Sequence, residues 1–179
     1  MQSYENALQN LKDGNERYRE NKMVMLDIHP KDKEMLKYGQ KPFAVILTCS
    51  DSRVIPEIYF DQQLGSIFVI RNAGNIVDAT VLGSIEYAVG HLKVPLVVVV
   101  GHKHCGAVSE TFKGGEFSEN LQTIISTIKP VIKDCKNIDL AVEANISNSV
   151  ELIRSYIDVM VMGAYYDIES GEVSWNLNS

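Results

Sequence analysis

The sequence predicts an α/β fold: a mainly parallel central β-sheet of about four parallel strands plus an antiparallel C-terminal edge strand, flanked by helices and preceded by an N-terminal helical arm. Three observations predict it. Phe43-Ala-Val-Ile-Leu47 and Leu96-Val-Val-Val-Val100 are apolar at every position, as strands buried on both faces are. Longer segments between such runs place apolar residues at near-helical spacing. The two kinds of segment alternate, which implies parallel strands joined by right-handed crossovers.

In chain order, Tyr4 to Asn21 is an amphipathic helix, with Leu8, Leu11 and Tyr18 recurring among charged residues. Met23 to Gln40, around Pro30, reads as a linker and a short helix ending near Gly39. Phe43 to Leu47 and Ser66 to Ile70 are the first two strands. Asp78 is the candidate N-cap of a helix running to about Leu92. Pro95 precedes the third strand, and a helix is expected to start near Cys105. Two more helices are expected over Ser118 to Lys133, kinked or interrupted at Pro130, and over Leu140 to Ser155. Asp158 to Gly163 is the fourth strand, followed by a turn at Glu169-Ser-Gly171 and a short last strand. No repeat or second domain interrupts this order. Residues 1–179 are read as one domain, with 1–22 as its arm.

The composition is globular, with 45% hydrophobic and 22% charged residues in 179. A formal charge of −6, without a block of Lys and Arg, argues against nucleic acid or anionic membrane as a partner. Val94 to Val100, the longest apolar stretch, is too short to span a bilayer. The first residues carry acids and amides where a signal peptide needs an apolar core, so a cytoplasmic location is expected. The cysteines are Cys49, Cys105 and Cys135. An odd number in a reducing compartment disfavours disulfides and favours metal or catalytic roles.

Two motifs carry chemistry. Cys49-Ser-Asp51-Ser-Arg53 follows the first strand, and Gly101-His102-Lys-His-Cys105-Gly106 follows the third. Ligands of open α/β sheets bind at the carboxyl ends of strands, where both motifs are expected. Alone, Cys-x-Asp is usually a polar turn and His-x-x-Cys is weak; together at neighbouring strand ends they are a zinc site. If the turn after Gly101 leads into a helix, His102 and Cys105 share one face and His104 points elsewhere. Cys49, Asp51, His102 and Cys105 form a tetrahedral set suited to Zn²⁺. Four protein ligands would close such a site to water. Arg53 offers the Asp51 carboxylate a second, bidentate partner, so Asp51 can leave the metal and open it. The plain alternative for Arg53 is a solvated loop charge.

These motifs, with Arg71-Asn-Ala-Gly-Asn75, resemble the signature of the β-class carbonic anhydrases. The resemblance covers nearly the whole chain, including Gly14-Asn-Glu-Arg-Tyr18, Gly39-Gln-Lys-Pro42, Gly83-Ser-Ile-Glu-Tyr87 and Gly163-Ala-Tyr-Tyr-Asp167. It implies that Cys49, His102 and Cys105 are the permanent zinc ligands. Asp51 and Arg53 match the family's catalytic dyad, whose aspartate binds zinc in a closed state and pairs with the arginine in an open one. Gln40 matches a substrate-contacting glutamine, and Phe68, Ala73 and Tyr87 match an apolar pocket partly built by a neighbouring subunit. His91 falls where some members carry a proton-shuttling residue, although a helix-surface histidine is the plainer reading. The family's N-terminal helices wrap a partner subunit, which implies a homodimer or larger homo-oligomer.

The implied reaction is reversible hydration of CO₂ to bicarbonate and a proton, by attack of zinc-bound hydroxide with Asp51 and Arg53 as a gate. Two thiolates oppose the acidity of the bound water; Asp51, ionised beside Arg53, can accept its hydrogen bond. A helix starting at Gly106 would present its backbone to the product. Ser155-Tyr-Ile-Asp158 leads into the fourth strand through a shorter segment than family members usually carry, so the preceding helix ends early or chain has been lost there. Cys135 matches nothing and reads as a helix thiol. Hydrolysis of CS₂ or COS on the same ligands, and a zinc-stabilised binding or sensing protein without turnover, are the rival functions. A zinc deaminase lacks its motif here.

Overall fold

The computed structural model describes residues 2–24, 34 and 36–175. Most of the expected linker and short helix over 23–40 falls on residues 25–33 and 35, outside the described residues.

Among the described residues one sheet contains strands β1 (Ala44–Cys49), β2 (Ile67–Asn72), β3 (Leu96–His102), β4 (Met160–Tyr166) and β5 (Val173–Ser174). Their order is β2-β1-β3-β4-β5. The first four are parallel, with Thr48 opposite Arg71 on one side and Val100 on the other, and β5 runs antiparallel to β4. The expected sheet is therefore present. All four parallel strands run past the ends read from sequence, β2 to Asn72 and β4 to Tyr166, and two of these extensions bear on the site. β1 continues through Thr48 to Cys49, and β3 through Gly101 to His102. Apolarity stops at Leu47, but Thr48 stays in the strand because its Oγ1 donates to Val100 O at 2.9 Å. A buried hydroxyl with a partner is as acceptable in a strand as valine. The extension makes both metal-motif residues the last residues of adjacent strands.

Side chains alternate across the sheet. Val45, Leu47, Val97 and Val99 face a core with helices α3 (Ala79–Gly90), α5 (Glu119–Ile132) and α6 (Ile138–Tyr156). Ala44, Ile46, Leu96, Val98 and Val100 face another with α1 (Tyr4–Arg19), the short α2 (Pro56–Tyr59) and β5. Cover on both faces is why these runs are apolar throughout. Between α3 and α5 lies α4 (Gly106–Lys113).

Asp78 caps α3 as expected, accepting from Thr80 N and Val81 N. Pro130 lies in the last turn of α5, and the helix continues to Ile132 instead of breaking. α6 does not end early: it reaches Tyr156, and three residues then lead to β4. That short connection is fastened by Arg154 Nη2, which donates to Val161 O at 2.6 Å. Cys135 stands in the turn after α5, not within a helix. Two short elements were not read from sequence: α2, and a 3₁₀ turn at Ala73–Asn75.

The N-terminal helix was expected on a partner subunit. Its inward face is seated on its own chain, with Ala7, Leu11, Gly14 and Asn15 buried. Asn15 Nδ2 donates to Tyr59 O (2.9 Å) and Gly171 O (2.8 Å), and Asn15 Oδ1 accepts from Val173 N (3.0 Å). Arg17 pairs with buried Asp61 at 2.6 Å. Only the outer face of α1 is left for a second subunit. A Cβ on Gly14 would lie 1.8 Å from Phe60 O, so helix and loop touch backbone to backbone. Gly14→Ala is expected to cost about 1–3 kcal/mol in denaturant unfolding; unchanged stability would mean that this close seating does not exist in solution.

Candidate metal centre

Adjacent parallel strands bring the motifs together. Cys49 ends β1, His102 ends β3, and Cys105 is the N-cap of α4. The ligand atoms of these three residues all lie within 4.8 Å of one another, and all three residues are buried. His102 and Cys105 do not share a helix face, contrary to the expectation. The chain leaves β3 through Lys103 and His104, the latter left-handed at φ 59°, before α4 starts. The turn, not helical periodicity, folds Cys105 back toward His102. His104 points away, its Nε2 lying 2.9 Å from Glu169 Oε1.

Each donor is prepared by its surroundings. His102 Nδ1 lies 2.9 Å from Lys103 O, a partner that only N–H can satisfy, which assigns the proton to Nδ1. The lone pair is then on Nε2, which is buried with no hydrogen-bond partner among the described residues. A buried, unpartnered nitrogen beside two thiols is the arrangement a metal ion completes. Cys49 Sγ accepts from Gly74 N at 3.4 Å. Between the two thiols, Cys49 is the more acidic: hydrogen bonding from Cys105, with help from the Gly74 N–H, outweighs its burial. The Cys105 thiol is pushed up by its bond to Cys49 and by burial. Two sulfurs and one imidazole nitrogen match Zn²⁺ in type and number, with a fourth position left over.

Asp51 is not within that group. Its Oδ1 accepts from Arg53 Nε at 2.9 Å and Arg53 N at 2.9 Å, and its Oδ2 accepts from Arg53 Nη2 at 2.7 Å. The predicted pair is thus formed, with the carboxylate on the arginine. The hydrogen bond from Arg53 holds the Asp51 carboxyl well below the usual carboxylate range against partial burial. Because this pKa lies below the unfolded value, the pair's stabilisation is full at neutral pH and fades only in strong acid. Sequence reading missed what fixes this loop. Arg71 Nε donates to Cys49 O (3.1 Å) and Arg71 Nη2 to Asp51 O (2.8 Å), so one guanidinium spans both carbonyls. The residue stands in Arg71-Asn-Ala-Gly-Asn75, but nothing local to that stretch shows which backbone its guanidinium reaches.

The other expected contacts are scattered. Ala73 opens the turn that contains Gly74, and Gly106 is the exposed first residue of α4. Gln40 is exposed. Phe68 pairs with Val45 in register, four residues before the end of β2 and so roughly 13 Å from Asn72 along the strand. Its ring lies 6.3 Å from that of Tyr87, which is 48% exposed. Within one chain Phe68 and Tyr87 form a surface pair away from the metal donors. His91 is exposed at the C-cap of α3 with its ring 5.3 Å from Tyr87, as a helix-surface histidine would be.

The family model for carbonic anhydrase matches residues 44–173, from the first residue of β1 into β5. The chain belongs to the β-carbonic anhydrase family. Among curated members, it is 45% identical over 130 residues to a carbonic anhydrase of Mycolicibacterium smegmatis, covering 68% of this chain and 61% of that one. It is 53% identical over 103 residues to carbonic anhydrase 2 of Mycobacterium tuberculosis, covering 55% and 48%. The chain therefore spans about half to three fifths of these family members' length. Among solved structures, a tetrameric β-carbonic anhydrase of Sordaria macrospora superposes with a TM-score of 0.76 at 26% identity, over 96% of this chain and 94% of that one. The family match includes all three buried donors. Replacing one of them, Cys105→Ala, is expected to abolish stoichiometric zinc in metal analysis of the purified protein; a zinc-replete variant would remove Cys105 from the ligand set.

Proposed function

We propose that the chain is a zinc-dependent carbonic anhydrase that interconverts CO₂ and bicarbonate. One observation carries this reading: two thiols and an unpartnered imidazole nitrogen lie within 4.8 Å of one another, next to a bidentate aspartate–arginine pair. Cys49, His102 and Cys105 would hold the ion. Zinc, when bound, makes a coordinated water acidic enough to supply hydroxide near neutral pH.

The chain's residues supply the rest. Asp51 is ionised, so it can only accept hydrogen bonds. Arg53 occupies both of its oxygens, yet Oδ2 receives one bond and keeps acceptor capacity for a water proton. Such a bond would let Asp51 hold the proton of that water in a fixed direction. The same carboxylate is the movable ligand of the proposal: on Arg53 it leaves the fourth position open, and on the metal it would close it. Arg71 fixes the backbone on both sides of this choice, so the side chain of Asp51 moves and the loop does not. A structural zinc site has no use for such an arginine pair, which disfavours a binding or sensing protein without turnover.

CO₂ is small and apolar and needs an apolar approach. Phe68 and Tyr87 offer apolar surface, but they become pocket walls only against a neighbouring subunit, together with Gln40, Ala73 and the Gly106 backbone. We therefore include a homodimer or larger homo-oligomer in the proposal. The thiols must stay reduced to bind metal, which fits a cytoplasmic setting. Among the described residues no helix is long and apolar enough to cross a membrane, and the net charge of −6 gives no support to nucleic-acid binding.

Stopped-flow CO₂ hydration on zinc-assayed protein tests the reading. Asp51→Asn and Arg53→Ala should each retain zinc and lose turnover by roughly a hundredfold or more. Wild-type turnover in either variant would refute the gate. Zinc-loaded wild-type protein that turns over CS₂ or COS but not CO₂, or no substrate at all, would refute the assignment.

A further inference from the structure

Two polar side chains of α6 lie inside the apolar core and take no part in the proposed reaction. Asn145 and Ser149 are each 2% exposed. They are four residues apart, on one face of the helix, among Val142, Ile146 and Val150. Buried amides and hydroxyls are retained where they find partners, so the partners explain their presence. Asn145 Nδ2 donates to Gly74 O at 2.8 Å, and Ser149 Oγ donates to Asn75 O at 3.3 Å. Both carbonyls belong to the Ala73–Asn75 turn, where Gly74 (φ 77°) and Asn75 (φ 44°) are left-handed. Asn72 straps the same turn: its Oδ1 accepts from Ile76 N at 2.9 Å and its Nδ2 donates to Ile76 O at 2.8 Å.

What this turn presents to the metal centre is the Gly74 N–H, directed at Cys49 Sγ. Space fixes it too, since a Cβ on Gly74 would lie 2.9 Å from Ile128 Cδ1 and 3.1 Å from Ala107 Cβ. An N–H donated to a thiolate withdraws charge from the sulfur. In a site with two thiolates, that withdrawal offsets part of their donation to the ion.

We propose that Asn145 is a positioning residue for the metal centre. By gripping the Gly74 carbonyl it keeps the Gly74 N–H on Cys49 Sγ and limits how much charge that sulfur gives the metal. The inference rests on Cys49 being a metal ligand. Groups behind metal ligands tune the ion in this way, and their loss typically changes metal affinity or activity by 10–100-fold. Asn145 reaches the ion only through a second residue's backbone, which is why neither motif points to it.

The test uses the full chain loaded with Co²⁺, whose thiolate-to-metal charge-transfer band reports sulfur donation. Wild type is compared with Asn145→Ala and with the more space-filling Asn145→Leu. Ile146→Val serves as a control that loosens the same helix without touching the turn. Zinc affinity is measured in parallel by chelator competition. The band is expected to move to longer wavelength in the Asn145 variants and to stay in place in Ile146→Val, while zinc affinity changes by roughly tenfold to a hundredfold in the Asn145 variants alone. An unmoved band in a cobalt-loaded Asn145 variant, or an equal shift in Ile146→Val, would overturn the proposal. Wild-type protein without any thiolate–cobalt band would instead refute the metal centre itself.

Discussion

The structure turns on three buried donors held within 4.8 Å of one another. Cys49, His102 and Cys105 are at most 5% exposed, and among the described residues the imidazole Nε2 has no hydrogen-bond partner. Burying two thiols and a lone pair beside one another is unfavourable unless a cation accepts all three. Their convergence follows from where they stand. Two neighbouring parallel strands end at the same level, and a helix begins opposite them, so the donors converge without strain in the sheet. The alternating core on either face holds those strand ends in register.

Around the donors, control over charge is distributed among distant parts of the chain. Arg53 holds the Asp51 carboxylate, Arg71 from the edge strand β2 holds the backbone on either side of it, and the 73–75 turn supplies an N–H to Cys49. That turn is anchored by α6, more than 70 positions further along the chain. A donor group assembled in this way is coupled to the packing of the whole sheet. On the proposal that it holds a metal, substitutions in α6 that are silent for folding would still alter the ion.

Much of this was legible in the sequence for identifiable reasons. Uniform apolarity marks a strand buried on both faces, so β1 and β3 were found, and Cys-x-Asp with His-x-x-Cys exposed the donors. The ends of those strands were misjudged because Thr48 and His102 are polar, and only the neighbouring strand reveals that they remain buried. The seat of α1 was also not visible: Gly14 and Asn15 look like surface residues of an amphipathic helix until Phe60 and Gly171 are placed against them. Asn145 and Arg71 escaped for the same reason, because a side chain that serves a distant backbone leaves no local pattern. Phe68 and Tyr87 carry a resemblance that one chain cannot complete, since they lie far from the donors within it.

Zinc K-edge X-ray absorption on the purified protein addresses the centre most directly. Two sulfurs at about 2.3 Å and two nitrogen or oxygen neighbours at about 2.0–2.1 Å are the predicted shell, one of the latter being His102. A shell without sulfur, or with sulfur in every position, would contradict the assignment of Cys49, His102 and Cys105 as the metal centre of this fold.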